Sequence, residues 1–110
     1  MYQKELLKGN TETLLLSLLT DEPMHGYRIV REIERRSSGY FQFKEGTLYP
    51  ALHRMEAAGL LSGYWGAGTT GTSRRYYSIT AKGRQVLEER LEEWHRFSRA
   101  VNRIMLAWGS

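Results

Sequence analysis

Seven polar residues carry most of the chemistry this chain can offer. Lys44, Thr47, Tyr49, His53 and Arg54 lie close together, and Arg74 and Arg75 stand side by side after the run Gly66-Ala67-Gly68-Thr69-Thr70-Gly71-Thr72-Ser73. A guanidinium presents a planar fork of donors that pairs bidentately with a phosphate or a guanine edge. Hydroxyl, phenol and imidazole groups between the cations add further donors and acceptors. This is the equipment for non-covalent recognition of a polyanion. Lysine and arginine number 16 against 12 aspartates and glutamates, and the net charge of +4 agrees with such a partner.

Covalent and metal chemistry have no comparable set. The 110 residues include no cysteine, which removes disulfides, thiolate zinc sites and a thiol nucleophile, and fits a reducing, cytoplasmic setting. His25, His53 and His95 lack metal-ligand spacing and read as structural or solvent-facing. The glycine-rich run leads into a strand rather than a helix, so it is not a phosphate-cradling loop. No serine has a nucleophile's setting. The expectation is a protein that is not an enzyme, with no cofactor and no metal. No apolar run reaches the ~18 residues of a membrane helix, and Met1-Tyr2-Gln3-Lys4-Glu5 does not open a secretory signal.

The elements that would position these residues follow from patterning. Leu6 to Leu19 is leucine-rich and reads as a helix with apolar residues on more than one face, closed by Asp21-Glu22-Pro23. Gly26 to Arg36 is a second helix, with Ile29, Val30 and Ile33 inward and arginines outward. A break at Ser37-Ser38-Gly39 precedes a third helix, Thr47 to Ala58, with Leu48, Leu52 and Met55 on its core side. Pro50 is tolerated in a first turn, which sets the helix start between Glu45 and Thr47. Thr47 is then a capping candidate, and Gly59 the left-handed stop. Leu60 to Trp65 and Arg74 to Thr80 form a hairpin in which Tyr76 and Tyr77 point to opposite faces. Thr80 caps a last helix from Ala81 to about Ala107.

That last helix carries a seam in steps of four and three: Leu87, Leu91, Trp94, Ser98, Val101, Met105 and Trp108. It is too long for so small a core to cover, so a homodimer is expected, joined also by Leu14 and Leu18 of the first helix. The fold class is mainly α with a small β-hairpin (α+β). Residues 1–80 form a winged helix-turn-helix for duplex DNA and residues 81–110 a dimerisation helix. The same arrangement could instead serve protein–protein assembly or RNA.

Three segments sharpen this reading. Pro23-Met24-His25-Gly26-Tyr27, Glu45-Gly46-Thr47-Leu48-Tyr49-Pro50-Ala51-Leu52 and Arg75-Tyr76-Tyr77-Ser78-Ile79-Thr80-Ala81-Lys82-Gly83 resemble the PadR family of bacterial transcriptional regulators. Leu7-Lys8-Gly9 is also similar, and the chain resembles the short subclass with a single carboxy-terminal helix. The resemblance implies a cytoplasmic repressor that binds inverted-repeat operator DNA as a homodimer. Its third helix would enter the major groove, its wing would touch the backbone, and its first and last helices would build the dimer. The return strand departs from the family pattern, because Gly71-Thr72-Ser73-Arg74-Arg75 contains no proline.

A final expectation concerns an effector. Two copies of Trp94 meeting at the seam would hold the helices apart and leave a slot. Phe97 lies one turn on and Arg90 one turn back, while Asn10, Thr13 and Ser17 would line the slot from the first helix. The competing reading is that Trp94 simply fills the interface. The resemblance implies that a tryptophan of the terminal helix stacks planar aromatic molecules at the dimer centre, which on this chain is Trp94.

Overall fold

Gly9 takes φ +85°, a left-handed turn, and the first described helix, α1 (Thr11–Leu18), starts just beyond it. The structure is a computed structural model that describes residues 9–67, 71 and 73–109, without the side chains of 107–109. The expected start at Leu6, the segment Leu7-Lys8, the tip residues 68–70 and 72, and the Trp108 side chain lie outside that description. Leu15, Leu16, Leu18 and Leu19 are all buried. The apolar residues cover more than one face because α1 touches each of the other described helices.

A two-residue strand, β1 (Met24–His25), leads directly into α2 (Gly26–Arg36), whose Ile29 and Ile33 are buried while its arginines face out. The link to the next helix turns through Ser38 and Gly39, at φ 52° and 80°, and buries Phe43. Helix α3 (Glu45–Ala57) then begins earlier than Thr47. Its N-cap is Lys44, and Thr47 is no cap: its amide donates to the Lys44 carbonyl at 3.0 Å. Pro50 consequently falls in the second turn rather than the first. It leaves the Gly46 carbonyl without a helical donor, which is tolerable because Gly46 and Pro50 are both exposed. At the other end Gly59 takes φ +80° as expected. The amides of Gly59 and Leu60 donate back to the carbonyls of Glu56 and Met55 at 3.0 and 2.9 Å.

Strands β2 (Leu61–Ala67) and β3 (Ser73–Ile79) pair antiparallel, from Leu61 opposite Ile79 to Ala67 opposite Ser73. The sheet has three strands, not two, because β1 adds to the free edge of β3, with Met24 opposite Tyr77 and His25 opposite Tyr76. Alternation divides the tyrosines as expected: Tyr77 is buried in the core and Tyr76 lies on the outer face.

Helix α4 (Ala81–Gly109) spans 29 residues, about 44 Å at the usual rise, and sets the 55 Å long axis. Its first turns belong to the core. Gly83 and Leu87 are buried, and a side chain at 83 would run into the Leu60 carbonyl. Leu18 and Leu87, expected at a dimer interface, are therefore spent inside the protomer, and Leu91 packs beside them. Beyond Leu91 the helix leaves the body, and Trp94, Phe97, Ile104, Met105 and Leu106 are exposed. Among the described residues no helix is long and apolar enough to cross a membrane.

Thr80 closes the junction between sheet and α4. Its hydroxyl accepts the Gly83 amide at 2.9 Å and donates to the Gly59 carbonyl at 2.6 Å. Thr80→Ala is expected to cost about 1–2 kcal/mol, the usual worth of a lost N-cap, which urea unfolding of the variant against the parent would measure.

Candidate nucleic-acid interface

Helix α3 buries Leu48, Ala51, Leu52 and Met55, which turns Gly46, Thr47, Pro50, His53, Arg54 and Ala57 to the surface. The outward stripe is therefore small-sided at Gly46, Thr47, Pro50 and Ala57 and carries the larger polar side chains His53 and Arg54. Lys44 and Arg54 are exposed and make no ion pair among the described residues. Tyr49 sits differently. It is half-buried, and its ring lies over Gly26, where an added Cβ would come within 2.7 Å of Tyr49 Cζ. Gly26 thus makes room for Tyr49, which bridges α3 to the start of α2 rather than pointing straight out.

Strand alternation sends the two adjacent arginines to opposite faces of the sheet. Arg75 Nη2 donates to Glu56 Oε2 at 2.8 Å, and its guanidinium lies 5.6 Å from the Trp65 ring centroid. Gly63 leaves room for this pair, since a Cβ there would stand 2.7 Å from that same Nη2 and push the two side chains aside. Arg75 therefore ties the wing to the end of α3, and its charge is already half-answered. Arg74 turns the other way, with Nη1 3.1 Å from His25 Nε2.

His25 is the residue that sequence reasoning undervalued. Its Nδ1 accepts the Arg28 amide at 3.3 Å and caps α2. Its ring is parallel to Tyr27 at 6.4 Å and meets the edge of Tyr76 at 5.4 Å, and Tyr76 in turn stacks on Tyr64 at 5.8 Å. Burial, and then the positive charges of Arg74 and Arg28, hold the imidazole below its ordinary value of 6.5. The one hint in the sequence was position: His25 stands where a capping residue belongs, directly before the helix. A cleft of about 580 Å³ opens here, lined by His25, Gly26, Tyr27, Tyr49, Trp65, Ser73, Arg74 and Arg75.

A second cavity, of about 390 Å³, lies between α1 and α4 and is lined by Gly9, Asn10, Thr13, Arg90, Glu93, Trp94 and Phe97. The structure thus brings together Asn10, Thr13, Arg90, Trp94 and Phe97 of the expected slot. Ser17 is not among the lining residues. Trp94 and Phe97 stand 5.9 Å apart between ring centroids, and Arg90 Nη1 bonds Glu12 Oε1 at 2.9 Å. Leu14 of α1 and Ser98 and Val101 of α4 are half-buried, and Met105 of α4 is exposed.

Comparison with known proteins gives a consistent picture. The sequence profile of the transcriptional regulator PadR-like family matches residues 15–89. A transcriptional regulator of Mycobacterium tuberculosis is 32% identical over 98 residues, covering 89% of this chain and 88% of its own. The crystal structure of a PadR-like transcriptional regulator from Bacillus cereus superposes with a TM-score of 0.81 at 33% identity, over 92% of this chain and 96% of that one. The Bacillus subtilis PadR structure, solved in complex with operator DNA, shares the fold at a TM-score of 0.68 and 22% identity, over 74% of this chain and 46% of that one.

The lowered His25 value has a consequence for stability. The unfolded chain takes up the proton first, so this group's contribution is complete above pH 6.5 and is lost as the pH falls below that. Asparagine can keep the cap without titrating. Urea unfolding between pH 7.5 and 5.5 is expected to show the parent losing more stability than His25→Asn.

Proposed function

Because this chain belongs to the PadR-like family of transcriptional regulators, we propose that it acts as a homodimeric repressor on an inverted-repeat operator in duplex DNA. The observation that carries this reading is the exposed face of α3 beside the wing, where Lys44 and Arg54 have no ion-pair partner among the described residues. A helix with one exposed polar face fits the major groove, and cations on it and at its start suit bases and flanking phosphates. Thr47 and His53 face the same way, and Arg74 and Arg75 follow along the wing. The Bacillus subtilis relative, which shares the fold, was solved with operator DNA.

The dimer follows from α4. Trp94, Phe97, Val101 and Met105 lie beyond the reach of the protomer's own core, and a second copy related by a two-fold axis would cover them. Two recognition helices presented by one two-fold axis read an inverted repeat. The division of labour is then residues 1–80 for DNA and 81–110 for the dimer, with the first turns of α4 anchoring the two together.

The cavity walled by Trp94 and Phe97 opens where that second copy would sit, and we assign it to a planar aromatic or phenolic effector. A few polar groups around an aromatic wall suit such a ligand. Spreading the α4 pair would change the spacing of the two α3 helices and release the operator.

The binding test uses a duplex selected by the protein from a random-sequence library. Affinity is expected to fall steeply with salt, and Lys44→Ala and Arg54→Ala each to flatten the log–log slope by about 0.9. Val101→Asp is expected to sediment as a monomer and to lose the duplex, because it would place a carboxylate in an apolar seam. Selection of RNA, or of no nucleic acid, overturns the reading. For the effector, Trp65→Phe/Trp108→Phe protein leaves Trp94 as the fluorophore. Planar cationic dyes or phenolic acids are expected to quench it and to weaken operator binding, and no quenching by any of them rules the site out.

A further inference from the structure

We propose that His25 and Arg74 together hold one phosphate of the bound duplex, in the cleft between the start of α2 and strand β3. The inference rests on the DNA-binding reading above and adds a contact that the reading did not contain.

A neutral imidazole offers one acceptor nitrogen and one N–H. His25 Nδ1 accepts the Arg28 amide, so Nε2 must carry the hydrogen. Yet Nε2 lies 3.1 Å from Arg74 Nη1, which is also a donor. Two N–H groups therefore converge with no acceptor between them. The other tautomer answers Arg74 but leaves the Arg28 amide without its cap. Protonation answers neither. In each state at least one N–H lacks a partner among the described residues, and the described carboxylates of this region are engaged elsewhere: Glu56 by Arg75 and Glu22 by Arg28.

An acceptor-only, anionic oxygen resolves the conflict. It takes the Nε2–H and the guanidinium at once, and leaves Nδ1 free to cap α2. A phosphodiester supplies such oxygens. The cleft is wide enough for a stretch of sugar-phosphate backbone, and the exposed rings of Tyr27 and Trp65 give it flat apolar walls. Tyr49 of α3 also lines it, so a duplex seated against α3 passes its backbone over this point.

Three proteins and the library-selected duplex test this. His25→Asn keeps a capping oxygen, but its amide N–H2 sits on a shorter side chain that does not extend to the position of Nε2–H. Arg74→Ala removes the guanidinium. Each is expected to weaken binding roughly 10-fold, the worth of a hydrogen bond to a charged group. Arg74→Ala is also expected to flatten the salt slope by about 0.9, and His25→Asn to leave it unchanged. The double variant is expected to bind no worse than about 10-fold below either single variant. Replacing backbone phosphates one at a time by neutral methylphosphonates should find a position that weakens the parent and not the double variant. Nitrogen shifts of His25 should report the Nε2–H tautomer in the complex. If both single variants retain the parent's affinity, the proposal falls while the DNA-binding reading stands. The same holds if inorganic phosphate shifts His25 but the variants bind duplex like the parent, since the site then serves a free ion. If the parent selects no duplex at all, both fall together.

Discussion

The arrangement depends on one junction, where the chain leaves the sheet and starts α4 directly over the end of α3. Thr80 donates to the Gly59 carbonyl, its amide donates to the Leu60 carbonyl at 3.1 Å, and Lys82 Nζ donates to the Ala58 carbonyl at 2.8 Å. Gly83 allows the approach by having no side chain to strike Leu60. The carbonyls just past the end of α3 are thereby satisfied by residues at the start of α4. This fixes the angle between the helix proposed to read DNA and the helix proposed to pair with a second copy. A displacement of α4 can therefore be felt at α3 without passing through a flexible linker.

The sheet does the equivalent for the wing. Arg74 and Arg75 are neighbours in sequence but act on different elements, because a strand sends successive side chains to opposite faces. Arg75 reaches Glu56 and fastens the wing to α3, and Arg74 reaches His25 and meets α2. The wing is held at two points, and the two arginines differ in how much charge they still offer outward. A partly exposed ion pair of this kind adds little stability, so its value lies in placement rather than energy. The tyrosines around His25 serve the same end by fixing the imidazole plane.

The α1–α4 side shows the opposite economy. Leu87 and Leu91 complete the protomer's core, whereas Trp94, Phe97, Ile104, Met105 and Leu106 stay exposed beyond it. A seam that is continuous in sequence is thus divided in space, and the division falls where a cavity opens beside Asn10 and Thr13.

The sequence by itself determined the order of the helices, the hairpin, the Thr80 cap, the Gly59 stop and the long seam. Each rests on local chemistry: helical periodicity, a side-chain oxygen one residue before a helix, a glycine at positive φ. The family was legible too, through segments with distinctive glycine, tyrosine and proline placement. Tertiary structure decided what local rules cannot see. It added β1, since two residues carry no periodic signal until β3 lies beside them. It moved Pro50 into the second turn, where exposure makes the lost hydrogen bond cheap. It turned Tyr49 onto Gly26, engaged Arg75 with Glu56, and spent Leu18 and Leu87 inside the core. Above all it set His25 against Arg74, residues 49 positions apart, whose meeting depends on strand register alone.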